Sequence, residues 1–448
     1  MIATRSIAAA ALAALMILTG TLSHGQTPKR GGSLTLRLRE DLPQGFAIHE
    51  SPTISTMWPA MPCFSNLVLF DPLKPIHSQE TVIGELAERR SWQDDYRKLV
   101  FFLRSGVKWH DGQAFSSKDV VYTFDVLRKA TGVPAKLRLN PRREWYTNVE
   151  AIEAPDPLTV VFRLKRPQPS LLLILASGFT PIYAAHVSPG SYRTGCMGTG
   201  PFKVKEWHKG EFVEYVRNPD YFVKDRPYLD GLRYQIIAER GTATAALQSG
   251  RVDVSFPGET PRGIAEQLRA AAPSLVITRV GTSVLDHLII NTRRPPFDNL
   301  KVRQAVSRAI DRRAYVAAVY QGGAVLGASM PPNPYGVWGM LEADLRAIPG
   351  HGSDPNGERT KARAALVNYS GYCNEQIARL IEQQSQELDP KRRLALVQEI
   401  QKKLEEAAAR PALAWRLDYF AVSPYVKNLI PHNSLYGWGR MQDVWRDR

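Results

Sequence analysis

Cysteine is scarce: the chain of 448 residues has three, Cys63, Cys196 and Cys373, with no CxxC pair and no His/Cys cluster. That excludes the usual thiolate zinc and iron–sulfur sites, and an odd number leaves at least one cysteine outside any intramolecular bridge. No GxSxG or HExxH occurs, so neither the strained serine turn of the α/β-hydrolases nor the zinc helix of the metalloproteases is present. Long apolar runs are also missing beyond the first residues, since Leu171 to Ala176 is far too short to cross a bilayer. Acidic residues are outnumbered, 43 against 58 Lys and Arg, for a formal charge of +15. The basic residues are scattered, which argues against a nucleic-acid stripe and for a basic surface beside anionic lipid or a preference for acidic ligands.

What is present suits a large soluble protein. Hydrophobic residues make up 44% of the chain, enough for a substantial core and, at this length, two or three domains. The start reads as an export signal, residues 1–25. Arg5 supplies the positive end, Ile7 to Leu18 the apolar stretch, and Ser23-His24-Gly25 the small-x-small cleavage pattern. The mature chain is expected from Gln26, outside the cytoplasm, without a lipid-bearing cysteine at the cleavage point.

Strand and helix signals then alternate. Ser33 to Leu38 and Leu99 to Leu103 are strand-like, as is Leu158 to Leu164. Ser116 with Asp119 forms a capping box ahead of an apolar face of Val120, Val121, Phe124 and Leu127. Phe202 to Trp207 and Phe212 to Arg217 pair as a hairpin about Lys209-Gly210. Thr242 to Gln248 is expected to be a helix, Val252 to Phe256 and Leu285 to Ile290 strands, and 299–320 one long helix. Two helices follow at 374–386 and 390–408, then a strand near Leu413 to Trp415. The class is α/β.

His110 and Asp111 stand side by side before Gly112, which invites a catalytic reading: an exported hydrolase or metal-dependent enzyme. Neighbours on a turn point apart, however, and Asp111-Gly112 reads as a tight turn leading into the capped helix. Gly198-Thr199-Gly200 imitates a phosphate loop but runs into a strand, so it reads as a backbone crossing where side chains do not fit.

The blocks "FFLRSGVKWHDGQAFSSKDVVYTF", "GTGPFKVKEWHKGEFVEYVRNPDYF", "ALQSGRVDV", "PFDNLKVRQAVSRAIDRRA" and "NYSGYCNEQIARLIEQQSQELDPKRR" together resemble the family 5 extracellular solute-binding proteins of ABC importers, which serve peptides, nickel chelates and opines. The resemblance implies a two-lobed periplasmic-binding-protein fold, type II and cluster C-like, with an inserted subdomain. Lobe I would comprise 29–46, 186–283 and 418–448, the insert 47–185, and lobe II 284–417. It implies a periplasmic monomer that passes a small solute, such as a peptide, to an inner-membrane ABC permease, with no catalytic residue, metal or cofactor.

One departure stands out. Val367 runs directly into Asn368-Tyr369-Ser370, with no residues for the strand and helix units that relatives place between such blocks. Lobe II is therefore expected to be shortened near 367/368, by internal deletion or as a natural compact variant. The acidic residue that holds a peptide's amino group in relatives has no counterpart, and Cys373 lacks the partner that relatives supply. A decayed clamp that binds nothing is a further alternative. For ligand contacts, the loop after the first strand offers Arg39, Asp41 and Phe46, because sites in α/β lobes lie beyond strand ends. Trp58 and Trp415 are the aromatic candidates.

Overall fold

A computed structural model describes residues 27–448 apart from 134, 357, 359–374 and 435–436. The expected signal at 1–25, Cys373 and the 367/368 junction lie outside the described residues. Among the described residues no helix is long and apolar enough to cross a membrane.

The alternation in Ser33–Leu38 becomes a strand with Leu34, Leu36 and Leu38 fully buried. It pairs in parallel with Gly231–Ile236, which continues antiparallel through Phe212–Arg217 to Phe202–His208. The last two form the expected hairpin, and Gly210 at its tip takes φ +80°, a conformation that favours glycine. Val254 bridges Leu36 on one side and Val422 on the other, so the strand expected at Val252 to Phe256 is reduced to a single paired residue. Through it the sheet reaches Ala412–Val422, which pairs antiparallel with Val276–His287. Both strands run longer than the sequence suggests, and their register shifts between Gly281 and Leu285.

A second sheet, ordered Ala87–Gln93, Lys98–Leu103, Thr159–Leu164, Val149–Asp156, is antiparallel throughout. The helix Ser117–Arg128 packs on it through Val120, Phe124 and Leu127, all buried, and the Ser116/Asp119 capping box forms as expected. The region is fastened to the first sheet at the crossing. A Cβ on Gly198 would overlap the Cys63 carbonyl oxygen, and one on Gly200 would lie 2.6 Å from it. Cys63 and Cys196 form a disulfide there, with Cα atoms 6.6 Å apart.

Between the two long strands the regular elements among the described residues are helices, apart from the short strand Ala324–Val325. The single helix expected over 299–320 is two, Leu300–Ala309 and Arg312–Tyr320. Asp311 accepts from the Ala314 N–H at 2.9 Å and caps the second, a start signal that the continuous apolar periodicity masked. Glu375–Gln386 and Pro390–Ala407 follow, close to their expected limits.

Candidate functional site

His110 and Asp111 do not form a relay. The His110 imidazole meets the Gly200 carbonyl at 3.0 Å, and burial, reinforced by Lys203, pulls its pKa down to about 4. Asp111 faces elsewhere, accepting from the Gln113 N–H at 3.0 Å and pairing with His186 at 2.8 Å. Burial opposes its charge, but these hydrogen bonds outweigh that cost and hold it below the usual carboxylate range. The pair anchors a turn to the glycine crossing.

A cavity of about 620 Å³ lies over the long strand pair. Its floor is Thr282, Val284 and Arg416 to Asp418. One wall carries Arg39, Ile54, Arg240, Pro257 to Glu259 and Pro261 to Ile264; the other carries Val319 to Gln321 and Gly323. Arg39 extends past the end of Ser33–Leu38 and meets Glu259 at 3.2 Å and Glu40 at 3.2 Å. Glu259 also takes Arg240, at 3.2 Å. Arg416 donates to Asp286 at 2.8 and 2.5 Å, and the same carboxylate accepts from Tyr315 at 2.9 Å and from the Tyr320 hydroxyl. Burial disfavours ionised Asp286, yet Arg416 and the two tyrosines overcome this and hold its pKa down. Asp418, buried beneath, accepts from Gly258 N–H at 2.8 Å and Thr260 N–H at 2.9 Å. Its burial is strong enough to raise its pKa to about 6 despite those bonds. That carboxyl fixes the backbone loop forming one rim.

Of the five residues singled out from sequence, Arg39 lines this cavity and the others do not. Asp41 is committed to the hairpin tip, accepting from Trp207 Nε1 at 2.9 Å and Gly210 N–H at 2.8 Å. Phe46 and Trp58 have no exposed surface. Phe46 packs edge-on against Trp207, and Trp58 against Tyr234 and Phe420, so in this conformation their rings serve the core. Trp415 lies within its strand rather than at its end, 7% exposed and donating to the Ala328 carbonyl at 2.9 Å. Its neighbour Arg416 points the opposite way, toward the cavity, as the two-residue period of a strand requires. Arg240, Glu259, Tyr320, Arg416 and Asp418 were missed. The signal for two of them was visible: Arg416 and Asp418 interrupt the otherwise apolar run Ala412 to Val422.

Comparison with known proteins supplies the context for this geometry. The chain is 27% identical over 352 residues to "Probable di/tripeptide-binding protein 5" of Pseudomonas aeruginosa (strain UCBPP-PA14), covering 71% of this chain and 62% of that protein. It is 29% identical over 298 residues to the "Dipeptide-binding protein" of Escherichia coli (strain K12), covering 62% and 54%. It thus spans between half and two thirds of these curated relatives. The solved oligopeptide-binding protein AppA of Bacillus subtilis, in complex with a nonapeptide, superposes with a TM-score of 0.75 at 19% identity, over 94% of this chain and all of that one. At that identity the match shows the fold, which is two-lobed and mixed α/β. Residues 81–408 match the profile described as "Bacterial extracellular solute-binding proteins, family 5 Middle". The chain belongs to the family 5 bacterial extracellular solute-binding proteins.

Proposed function

We propose that this chain is the solute-capturing component of an ABC importer, holding a peptide or similar small solute in the cavity over the long strand pair and passing it to an inner-membrane permease. The observation that carries this reading is the cavity itself, whose walls come from two separately cored regions joined beneath it by Val276–His287 and Ala412–Val422. A solute touching both walls binds best when they approach, so it shifts the population toward a closed form that a permease can distinguish. No bond needs to break, and His110 and Asp111 have no part in it.

On this reading lobe I comprises 29–46, 186–283 and 418–448, the insert 47–185, and lobe II 284–417, shortened near 367/368. The boundary at 417/418 lies opposite Val280 and Gly281, and the one at 283/284 falls in the irregular stretch that follows, where the register shifts between Gly281–Leu417 and Leu285–Trp415. Such an irregularity suits a hinge. The protein works as a periplasmic monomer after loss of residues 1–25. Arg39 is a ligand contact; Asp41, Phe46, Trp58 and Trp415 support the walls.

The test is mass spectrometry of solute released from the exported, purified chain, paired with thermal melting against a dipeptide and tripeptide pool. A bound solute and a raised melting point are expected, since a ligand at a hundred times its Kd adds about 2.7 kcal/mol. Finding neither overturns the proposal, as does turnover of any substrate that is lost in His110→Ala.

A further inference from the structure

The walls of the cavity are not neutral in what they present. Arg39, Arg240, Arg262 and Arg416 line it, with side chains 38%, 55%, 46% and 49% exposed. Three of the carboxylates that balance them are set behind, Glu259 at 17% exposed, Asp286 at 10% and Asp418 at 2%, while Glu40 and Glu266, paired with Arg39 and Arg262, are half exposed but outside the cavity lining. Formal charge nearly cancels, but the more exposed charged groups of the lining are the four guanidinium groups, with Glu259 and Asp418 more deeply set.

Those guanidinium groups keep donors to spare. Arg240 lines the cavity, and its one hydrogen bond among the described residues runs from Nη2 to Glu259, leaving Nε and Nη1 unused. Arg416 uses Nε and Nη2 on Asp286 and leaves Nη1, while Arg262 uses Nε on Glu266 and Nη1 on the Gln321 carbonyl and leaves Nη2. A planar guanidinium with unused N–H groups is built for a carboxylate.

The placement of two of them also opposes local stability. Arg240 and Arg262 are the first residues of the helices Arg240–Gln248 and Arg262–Ala271, where the positive end of the helix dipole disfavours a cation, an effect offset at Arg240 by the Glu239 carboxylate that caps that helix and not offset by a cap at Arg262. Arg37, buried beneath the same wall, completes a cluster with Arg39 and Arg240 around Glu259. An anion entering the cavity relieves this repulsion, whereas a cation adds to it.

From this arrangement we infer that the solute is anionic: a small molecule of net negative charge whose carboxylate is taken by Arg240 on the wall and Arg416 on the floor, with Arg39 and Arg262 on the same wall as Arg240. The inference rests on the solute-binding reading proposed above and specifies its ligand class. It differs from that reading in its consequences, because a receptor for neutral or basic peptides would satisfy the first and contradict the second.

The test begins with the solute released on denaturation, which is expected to carry net negative charge at pH 7. Alongside, calorimetry on the full chain compares Ala-Glu-Glu, Ala-Gln-Gln and Ala-Lys-Lys, and separately gluconate and sorbitol. The anion of at least one set is expected to bind tenfold or more tightly than its neutral counterpart, and to weaken steeply as salt rises. Arg240→Gln, on an exposed helix end, is expected to leave the melting temperature within about 2 °C and to weaken the anion tenfold or more. A neutral or basic released solute, a neutral or basic probe that binds as tightly as the anion, or an anion indifferent to Arg240→Gln overturns the inference while leaving solute capture standing. Silence from every probe with no solute released removes both.

Discussion

The two walls of the cavity are built to different standards. The wall carrying Arg39 rests on the first sheet, whose core packs Phe46, Trp58, Tyr215, Tyr234, Phe420 and Trp438 without exposed surface, and it is fastened to the second sheet by the Cys63–Cys196 bridge and the Gly198 crossing. The wall carrying Tyr320 belongs to a region whose apolar clusters are small and separate, Ala328 with Met340, Leu345 and Ile348, and Ile377 with Leu380 and Ile400. It leaves large apolar side chains in solvent: Ile289 is 77% exposed, Leu341 61% and Val319 54%. Segments with few buried apolar contacts open at low free-energy cost, and binding motions draw on such segments. The contrast is that of a stiff platform and a yielding jaw.

The sharpest way to break the contrast is to attack the fastening. Gly198→Ala drives a Cβ into the Cys63 backbone, which cannot swing aside, so a loss of about 4 kcal/mol or more is expected, read as a collapsed urea midpoint or no recoverable protein. If Gly198→Ala melts like the parent, the crossing is not the tight junction described. Replacing both Cys63 and Cys196 with Ser releases a link between residues 133 apart in sequence and is expected to cost about 4 kcal/mol in chemical denaturation.

Acid provides a third probe, and its sign differs between groups. Burial lowers the His49 pKa to about 3 and the His432 pKa to about 4, while their unfolded values lie near 6.5. The unfolded chain takes up those protons first, so stability falls as pH drops below about 6.5, by about 2 kcal/mol per imidazole at pH 5. Asp418, raised to about 6, works the other way: its contribution is greatest below its unfolded value and is lost as pH rises through 6. It returns about 1 kcal/mol between pH 7 and 5. Melting curves of Asp418→Asn against the parent should diverge in that window, with the parent gaining relative stability in acid; parallel curves would show that this carboxyl is not buried as described.

A core truncation in the jaw should be milder than one in the platform. Leu380→Ala removes a side chain from a cluster that can collapse around the loss, so about 2 kcal/mol is expected, the low end for a buried leucine. Trp58→Ala in the platform should cost about 4 kcal/mol. Equal costs in thermal melts of the two variants would erase the difference between the walls.

Much of the platform was legible in the sequence because its signals are local. The Ser116/Asp119 box, the Lys209-Gly210 turn and the alternation of Ser33–Leu38 each specify geometry within a few residues. Gly198 and Gly200 were readable as a crossing because a strand, not a helix, follows them. The site was far less legible. Trp58 and Trp415 looked like ligand aromatics, and only tertiary packing decides that one ring meets Tyr234 and Phe420 and the other the 327–328 backbone. Asp41 looked free until the hairpin tip, 169 residues away, closed on it. Glu259 meets Arg39 across 220 residues and holds Arg240 as well, an arrangement that no local pattern encodes.

The most direct measurement is hydrogen–deuterium exchange on the full chain with and without its released solute, followed over residues 257–264 and 319–323. If the two walls close on a solute, both segments gain protection together while 98–103 in the second sheet stays unchanged. Protection confined to one wall, or none in either, would contradict capture between a platform and a jaw.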